Sequence, residues 1–176
     1  MLVNKAYKFR IYPNKRQEIL IAKTIGCSRF VFNHFLALWN DTYKETGKGL
    51  TYYSCSADLT QLKKQQDTLW LKEVDSIALQ STLKNLSDAF SRFFTKQNDI
   101  PRFKSKNNKV QPYTTKQTND NIAVMDNKIK FPKLGLVTFS KSREIKGRIL
   151  NATIRCNPSG KYCLISYNQK PIQASN

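Results

Sequence analysis

Ala6-Tyr7-Lys8-Phe9-Arg10-Ile11-Tyr12, stopped by Pro13, decides how the rest of the chain has to be arranged. Aromatic and β-branched residues in a short run read as a strand. A strand this short and this apolar does not stand alone, because an isolated ribbon cannot bury its own surface. Nothing of period two follows it until well beyond residue 100. The economical arrangement recruits it into one barrel with those later strands, with the intervening helices inserted between them.

Working outward, Asn14 reads as a helix N-cap, and Gln17 three residues on completes a capping box. Gly26 is expected to end that helix after about Ile25. A second helix is expected from Ser28 to about Glu45, with an apolar stripe of Phe32, Phe35, Leu36, Trp39 and Tyr43. Gly47-Lys48-Gly49 breaks the chain. A third helix is expected from Ser54, carrying Leu59 and Leu62, and a fourth from Asp75 or Ser76 to about Lys96. In the fourth, Leu79, Leu83, Leu86, Phe90 and Phe93 line one side. Ser76, Gln80, Lys84, Ser87 and Ser91 line the other.

Past Pro101 the segment Arg102-Phe103-Lys104-Ser105-Lys106-Asn107-Asn108-Lys109 is basic, without an acid, and reads as a loop. Then the period becomes two. Ile122 and Val124 face Ile129 and Phe131 across an Asp126-Asn127 turn, and Leu134 to Phe139 forms another strand. Leu150, Ala152, Ile154 and Cys156 share a face, which Cys163, Ile165 and Tyr167 rejoin after the turn Asn157-Pro158-Ser159-Gly160. The tail from Gln169 to Asn176 is expected to fray.

A net charge of +18 falls equally on residues 1–106 and 107–176, so the excess belongs to the folded body. Such a field attracts polyanions, nucleic acid above all. The longest apolar runs, such as Ile19-Leu20-Ile21-Ala22, are far too short to span a bilayer, and no secretory leader is visible. The expected compartment is the cytoplasm, with neither a membrane nor a small molecule as partner. Cys27, Cys55, Cys156 and Cys163 lack zinc-site spacing, and the last two would pair only diagonally across a turn. They are expected as reduced thiols, and no cofactor or metal is expected.

Catalysis by this chain alone is not expected either. A metal-dependent nuclease converges several carboxylates on its cations. Here the acids are scattered, and beyond residue 100 only Asp120, Asp126 and Glu144 occur. His34, the single imidazole, lies in an aromatic helix and reads as a core or packing residue. Binding fares better. The basic loop is either a solvated linker or a track for a phosphate backbone. The polar side of the fourth helix is either an ordinary solvent face or one that reads bases, since Gln makes bidentate contacts to adenine and Lys reaches guanine. Tyr52 and Tyr53 either pack on the helices or offer an aromatic to a base.

Several stretches in order resemble the start of TnpB proteins, transposon-encoded RNA-guided DNA nucleases. They are Lys5-Ala6-Tyr7-Lys8-Phe9-Arg10-Ile11-Tyr12-Pro13, Gly26-Cys27-Ser28-Arg29-Phe30-Val31-Phe32-Asn33, Trp70-Leu71-Lys72-Glu73-Val74 and Ala78-Leu79-Gln80. Phe93-Phe94, Pro101-Arg102-Phe103-Lys104-Ser105-Lys106 and Ile129-Lys130-Phe131-Pro132-Lys133-Leu134-Gly135 complete the series.

The resemblance implies an α+β chain: a wedge-type, OB-like β-barrel domain of residues 1–13 plus 107–176, interrupted by a four-helix recognition domain of residues 14–106. It implies a transposon-derived guide RNA and double-stranded target DNA as partners. The residues it places at the DNA motif are Tyr52, Ser56, Ser76, Ile77, Gln80, Thr118 and Asn119. Family members can carry Lys and Phe where this chain has Ser76 and Ile77. Lys84, Arg102, Lys104 and Lys106 are the candidates for backbone phosphates. A complete member continues into a RuvC-like nuclease domain with three acidic ligands and a zinc ribbon, and this chain stops at about the point where that domain would begin. The rival reading is a stand-alone DNA-binding repressor that uses no guide.

Overall fold

The computed structural model describes residues 1–108 and 110–170. Lys109, the last cation of the basic loop, and residues 171–176 of the expected frayed tail lie outside them. The chain forms two compact units, one of residues 1–21 with 109–176 and one of residues 22–108.

The first unit is a seven-stranded antiparallel sheet: β1 (Val3–Tyr12), β2 (Pro112–Lys116), β3 (Ala123–Met125), β4 (Lys128–Phe131), β5 (Gly135–Phe139), β6 (Arg148–Asn157) and β7 (Gly160–Gln169). Their spatial order is β2-β6-β7-β1-β5-β4-β3. The first strand therefore sits in the interior of the sheet, as its apolar composition requires. Phe9 pairs with Cys163 of β7 and Ile11 with Phe139 of β5. The expected barrel is met as an open sheet, because the ladders run in one series and none joins β2 to β3 among the described residues. Phe9, Ile11, Ile129, Phe131, Ile154 and Tyr167 bury one face.

Two details depart from the sequence expectation. Residues 112–116, to which the sequence reading assigns no element, form β2 with Tyr113 and Thr115 buried. Its leading Pro112 cannot donate to a ladder, which suits the first residue of an edge strand. In β6 the inward position is Ile149, not Leu150, because the register shifts between Ile149 and Asn151. A bulge inserts one residue and resets which side faces in.

The second unit contains most of α1 (Lys15–Thr46), α2 (Tyr52–Leu62), a 3₁₀ segment (Gln66–Glu73) and α3 (Ser76–Phe94). The capping box at Asn14 is present: its Oδ1 accepts from the Gln17 N–H at 2.8 Å, and its N–H donates to Gln17 Oε1 at 2.9 Å. Gly26, however, ends nothing. Helix α1 runs through it, and the two helices expected on either side are one. A C-terminal glycine cap needs positive φ, which Gly26 lacks. Glycine inside a helix costs about 1 kcal/mol. The burial of Ile21, Cys27, Val31, Phe35 and Leu36 along the same helix outweighs that. Helix α2 begins earlier than Ser54, because Thr51 caps it and forms a box with Ser54. The buried side of α3 is broader than expected, taking in Ser81 and Thr82, while Phe93 is only half-buried.

Candidate nucleic-acid interface

Helices α2 and α3 pack together through Leu59, Leu62, Leu79 and Leu83, which are buried. Their polar sides meet at one side chain. Gln80 Oε1 accepts from Ser56 Oγ at 2.9 Å and from Tyr52 Oη at 3.2 Å. Three of the residues placed at the DNA motif, distant by up to 28 positions, thus form one cluster. Ser56, Tyr52 and Gln80 are all half-buried, and Tyr53 beside them is 81% exposed. With its carbonyl accepting twice, Gln80 presents only its amide hydrogens, which have no partner among the described residues. The bidentate adenine contact needs the carbonyl as well, so the geometry favours an acceptor edge instead.

The start of α3 is less open than its sequence suggests. Ser76 is exposed and Ile77 half-buried. Asp75, only 4% exposed, accepts through Oδ1 from the Ile77 N–H at 2.9 Å. That carboxylate satisfies the helix terminus and places a negative charge where a phosphate would otherwise bind. Farther along, Lys84 pairs with Asp88 at 3.1 Å. Such an exposed pair is worth only about 0.3–0.5 kcal/mol, so a phosphate can displace the carboxylate.

The basic segment is a loop, but not a slack one. Asn33 on α1 accepts from the Lys104 N–H at 2.8 Å and donates to the Lys104 carbonyl at 2.9 Å. The Lys104 ammonium lies 4.3 Å from the centre of the Phe32 ring. Burial against that ring lowers its pKa, although the residue as a whole remains exposed. Arg102 and Lys106 are exposed on either side. Lys106 sits in a turn where Ser105 Oγ accepts from the Asn107 N–H at 3.1 Å.

In the sheet unit, Thr118 and Asn119 stand in the loop from β2 to β3. Asn121 Oδ1 accepts from the Thr118 N–H at 2.8 Å, and its Nδ2 donates to the Lys116 carbonyl at 3.1 Å. Gln117 clasps Ile122 from both sides at 2.7 and 2.8 Å. Asn119 and Asp120 take left-handed backbone at φ +50° and +59°, a conformation Asn and Asp tolerate better than most residues. The exposed tip is therefore held in one shape by its own side chains.

His34 is not a core residue. It is exposed on α1 and stacks on Phe30 at 5.7 Å. All four cysteines are free, and burial raises the thiol pKa of each. Among the described residues no cluster of His, Cys, Asp or Glu could hold a metal ion, and no helix is long and apolar enough to cross a membrane. Sequence reasoning passed over Asn33 as a functional residue. Its signal was a polar amide set within a run of aromatic residues.

Comparison with known proteins adds independent observations. A family model described as a helix-turn-helix domain, HTH_OrfB_IS605, matches residues 1–48. Here those residues form β1 and one uninterrupted helix. The chain is 33% identical over 153 residues to a protein of Escherichia coli K12 provisionally named RNA-guided DNA endonuclease InsQ, covering 85% of this chain and 37% of that one. It is 36% identical over 104 residues to a provisionally named RNA-guided DNA endonuclease of Streptomyces pristinaespiralis, covering 59% and 26%. It is also 33% identical over 115 residues to the virulence protein VsdF of Salmonella dublin, covering 60% of this chain and 97% of that protein. The chain thus spans little more than a third of the longer endonuclease match and about a quarter of the other.

Proposed function

Because the chain belongs to the TnpB family, whose N-terminal part it matches, we propose that it is the gripping portion of an RNA-guided DNA endonuclease. In this reading it binds a transposon-derived guide RNA and reads a short motif on the double-stranded target. The open sheet unit corresponds to a wedge-type barrel domain, and the helical unit to a recognition domain. Guide pairing supplies most of the sequence specificity, and the protein adds a short duplex contact.

The Tyr52–Ser56–Gln80 cluster carries the proposal. It fixes an amide donor at the meeting point of two helices, with Tyr53 exposed beside it. Arg102 and Lys106 add phosphate affinity, Lys84 does so once released from Asp88, and Lys104 chiefly anchors its loop. Ser76, Ile77, Thr118 and Asn119 are the remaining motif contacts in this reading. In this reading the chain itself carries no cofactor and does not cut.

The rival repressor would place a second helix in the major groove. An unbroken α1 over the helix-turn-helix match offers no such pair. Duplex binding measured with and without guide RNA separates the two readings. A requirement for the guide supports the proposal, and equally tight binding without it supports the repressor. Incubation of the pure chain with magnesium and target DNA tests the absence of cutting. Cleavage that disappears when one acid is removed would overturn that part of the reading.

A further inference from the structure

The solvent face of the sheet carries a second arrangement that none of the residues above belongs to. No strand from β1 to β7 bears an Asp or a Glu, so every strand charge is positive. On β1, β7 and β6 the pairings Arg10↔Tyr162 and Tyr162↔Arg155 set two guanidinium side chains on either side of one tyrosine. The next row, Lys8↔Leu164 and Leu164↔Thr153, lies beside it. Lys8 Nζ sits 4.4 Å from the Tyr162 ring centre. The Arg10 guanidinium lies 5.9 Å from the same ring and 5.5 Å from that of Tyr12. A Cβ on Gly160, at φ +146°, would come within 3.0 Å of Arg10 Nη2, so the turn residue leaves room for that side chain.

These contacts hold long cationic side chains in place without neutralising them, which lowers the entropy lost when an anion binds. Between Lys8, Arg155, Thr153, Tyr162 and Leu164 lies a notch of about 120 Å³. Lys8, Arg155 and Leu164 are exposed at its rim. None of Lys8, Arg10 or Arg155 has a carboxylate partner among the described residues. Two unpaired cations around a small notch suit a phosphodiester, and the exposed sheet face suits a single strand running across it.

We propose that the Lys8–Tyr162–Arg155 notch binds a backbone phosphate of a single-stranded nucleic acid segment. The site rests on the nucleic-acid reading above but uses none of its residues. The test uses the full chain and fluorescence anisotropy over a salt series. The probes are an unstructured oligouridylate, the matching oligothymidylate and a DNA duplex.

Lys8→Gln and Arg155→Gln should each lower the salt slope on the single strands by about 0.7, the value for one lost phosphate contact. Tyr162→Leu should weaken binding, and Tyr162→Phe should restore it. Lys44→Gln, an exposed cation of α1, serves as the control for charge alone. Equal losses on both single strands identify the backbone as the ligand, and a loss confined to the RNA adds its ribose. Slopes that match the Lys44→Gln control, or losses confined to the duplex, overturn the site while leaving the functional reading intact. A wild-type chain that binds none of the probes overturns both.

Discussion

Asn33 meets Lys104 at both of its backbone polar atoms, joining an α1 side chain to a loop residue 71 positions later. The Lys104 ammonium over the Phe32 ring joins the same two segments. The Asn33 amide is the two-bond link that holds the loop backbone to α1.

Asn33→Ala should release that loop. Two hydrogen bonds of ordinary net value are lost, so unfolding stability should drop by about 1–2 kcal/mol. Trypsin should then cut faster at Arg102, Lys104 and Lys106, and Asn33→Asp should not restore protection because it cannot donate to the carbonyl. Limited proteolysis with peptide mapping reads this directly.

Gln80→Glu replaces the amide hydrogens with an acceptor. Base preference at one motif position should be lost or inverted, with a change of about 10- to 100-fold in discrimination between bases. Selection of bound duplexes from a randomised pool, in the presence of guide RNA, measures it. Unaltered preference would remove Gln80 from the reader.

Gly49→Ala should destabilise the helical unit. A Cβ there would lie 2.1 Å from Trp39 Cζ2, and Trp39 is stacked on Phe90 at 3.7 Å between centroids. Overpacking of this kind costs about 1–3 kcal/mol. Chemical denaturation should show a lower midpoint with an unchanged slope.

Alkaline pH should weaken the fold through its thiols. Burial pushes Cys163 up to about 12 and Cys55 up to about 11, above the ordinary thiol value. The unfolded chain then releases its thiol protons first. Stability is therefore complete below about pH 8.5 and declines as pH rises from there towards 11 or 12. Thermal midpoints from pH 7 to 11 should fall, and fall less steeply in Cys163→Ala. At pH 8, iodoacetamide should label half-buried Cys156 before the other three.

Much of this was legible in the residues. Alternation in 122–131 and 150–167 located the strands, and the capping pair Asn14 and Gln17 located a helix start. What failed was local grammar overruled by burial. Gly26 looked like a stop, yet apolar residues before and after it keep α1 whole. Leu150 looked inward until a bulge moved that role to Ile149. Strand β2 carries little periodic signal, because Pro112-Tyr113-Thr114-Thr115-Lys116 holds a single large apolar side chain. The cluster at Gln80 was beyond reach of spacing alone, since Tyr52 and Ser56 lie on a different helix. Only the family resemblance drew those three together beforehand.

The sheet also sets a timetable. Its earliest strand is completed by a partner roughly 150 positions downstream, at Ile11↔Lys161, whereas residues 22–108 form a unit with no such wait. On the ribosome the helices can therefore settle while β1 remains an unsatisfied apolar ribbon, open to wrong partners until β7 emerges. A cell that makes this protein must shield those ten residues until β7 has been made.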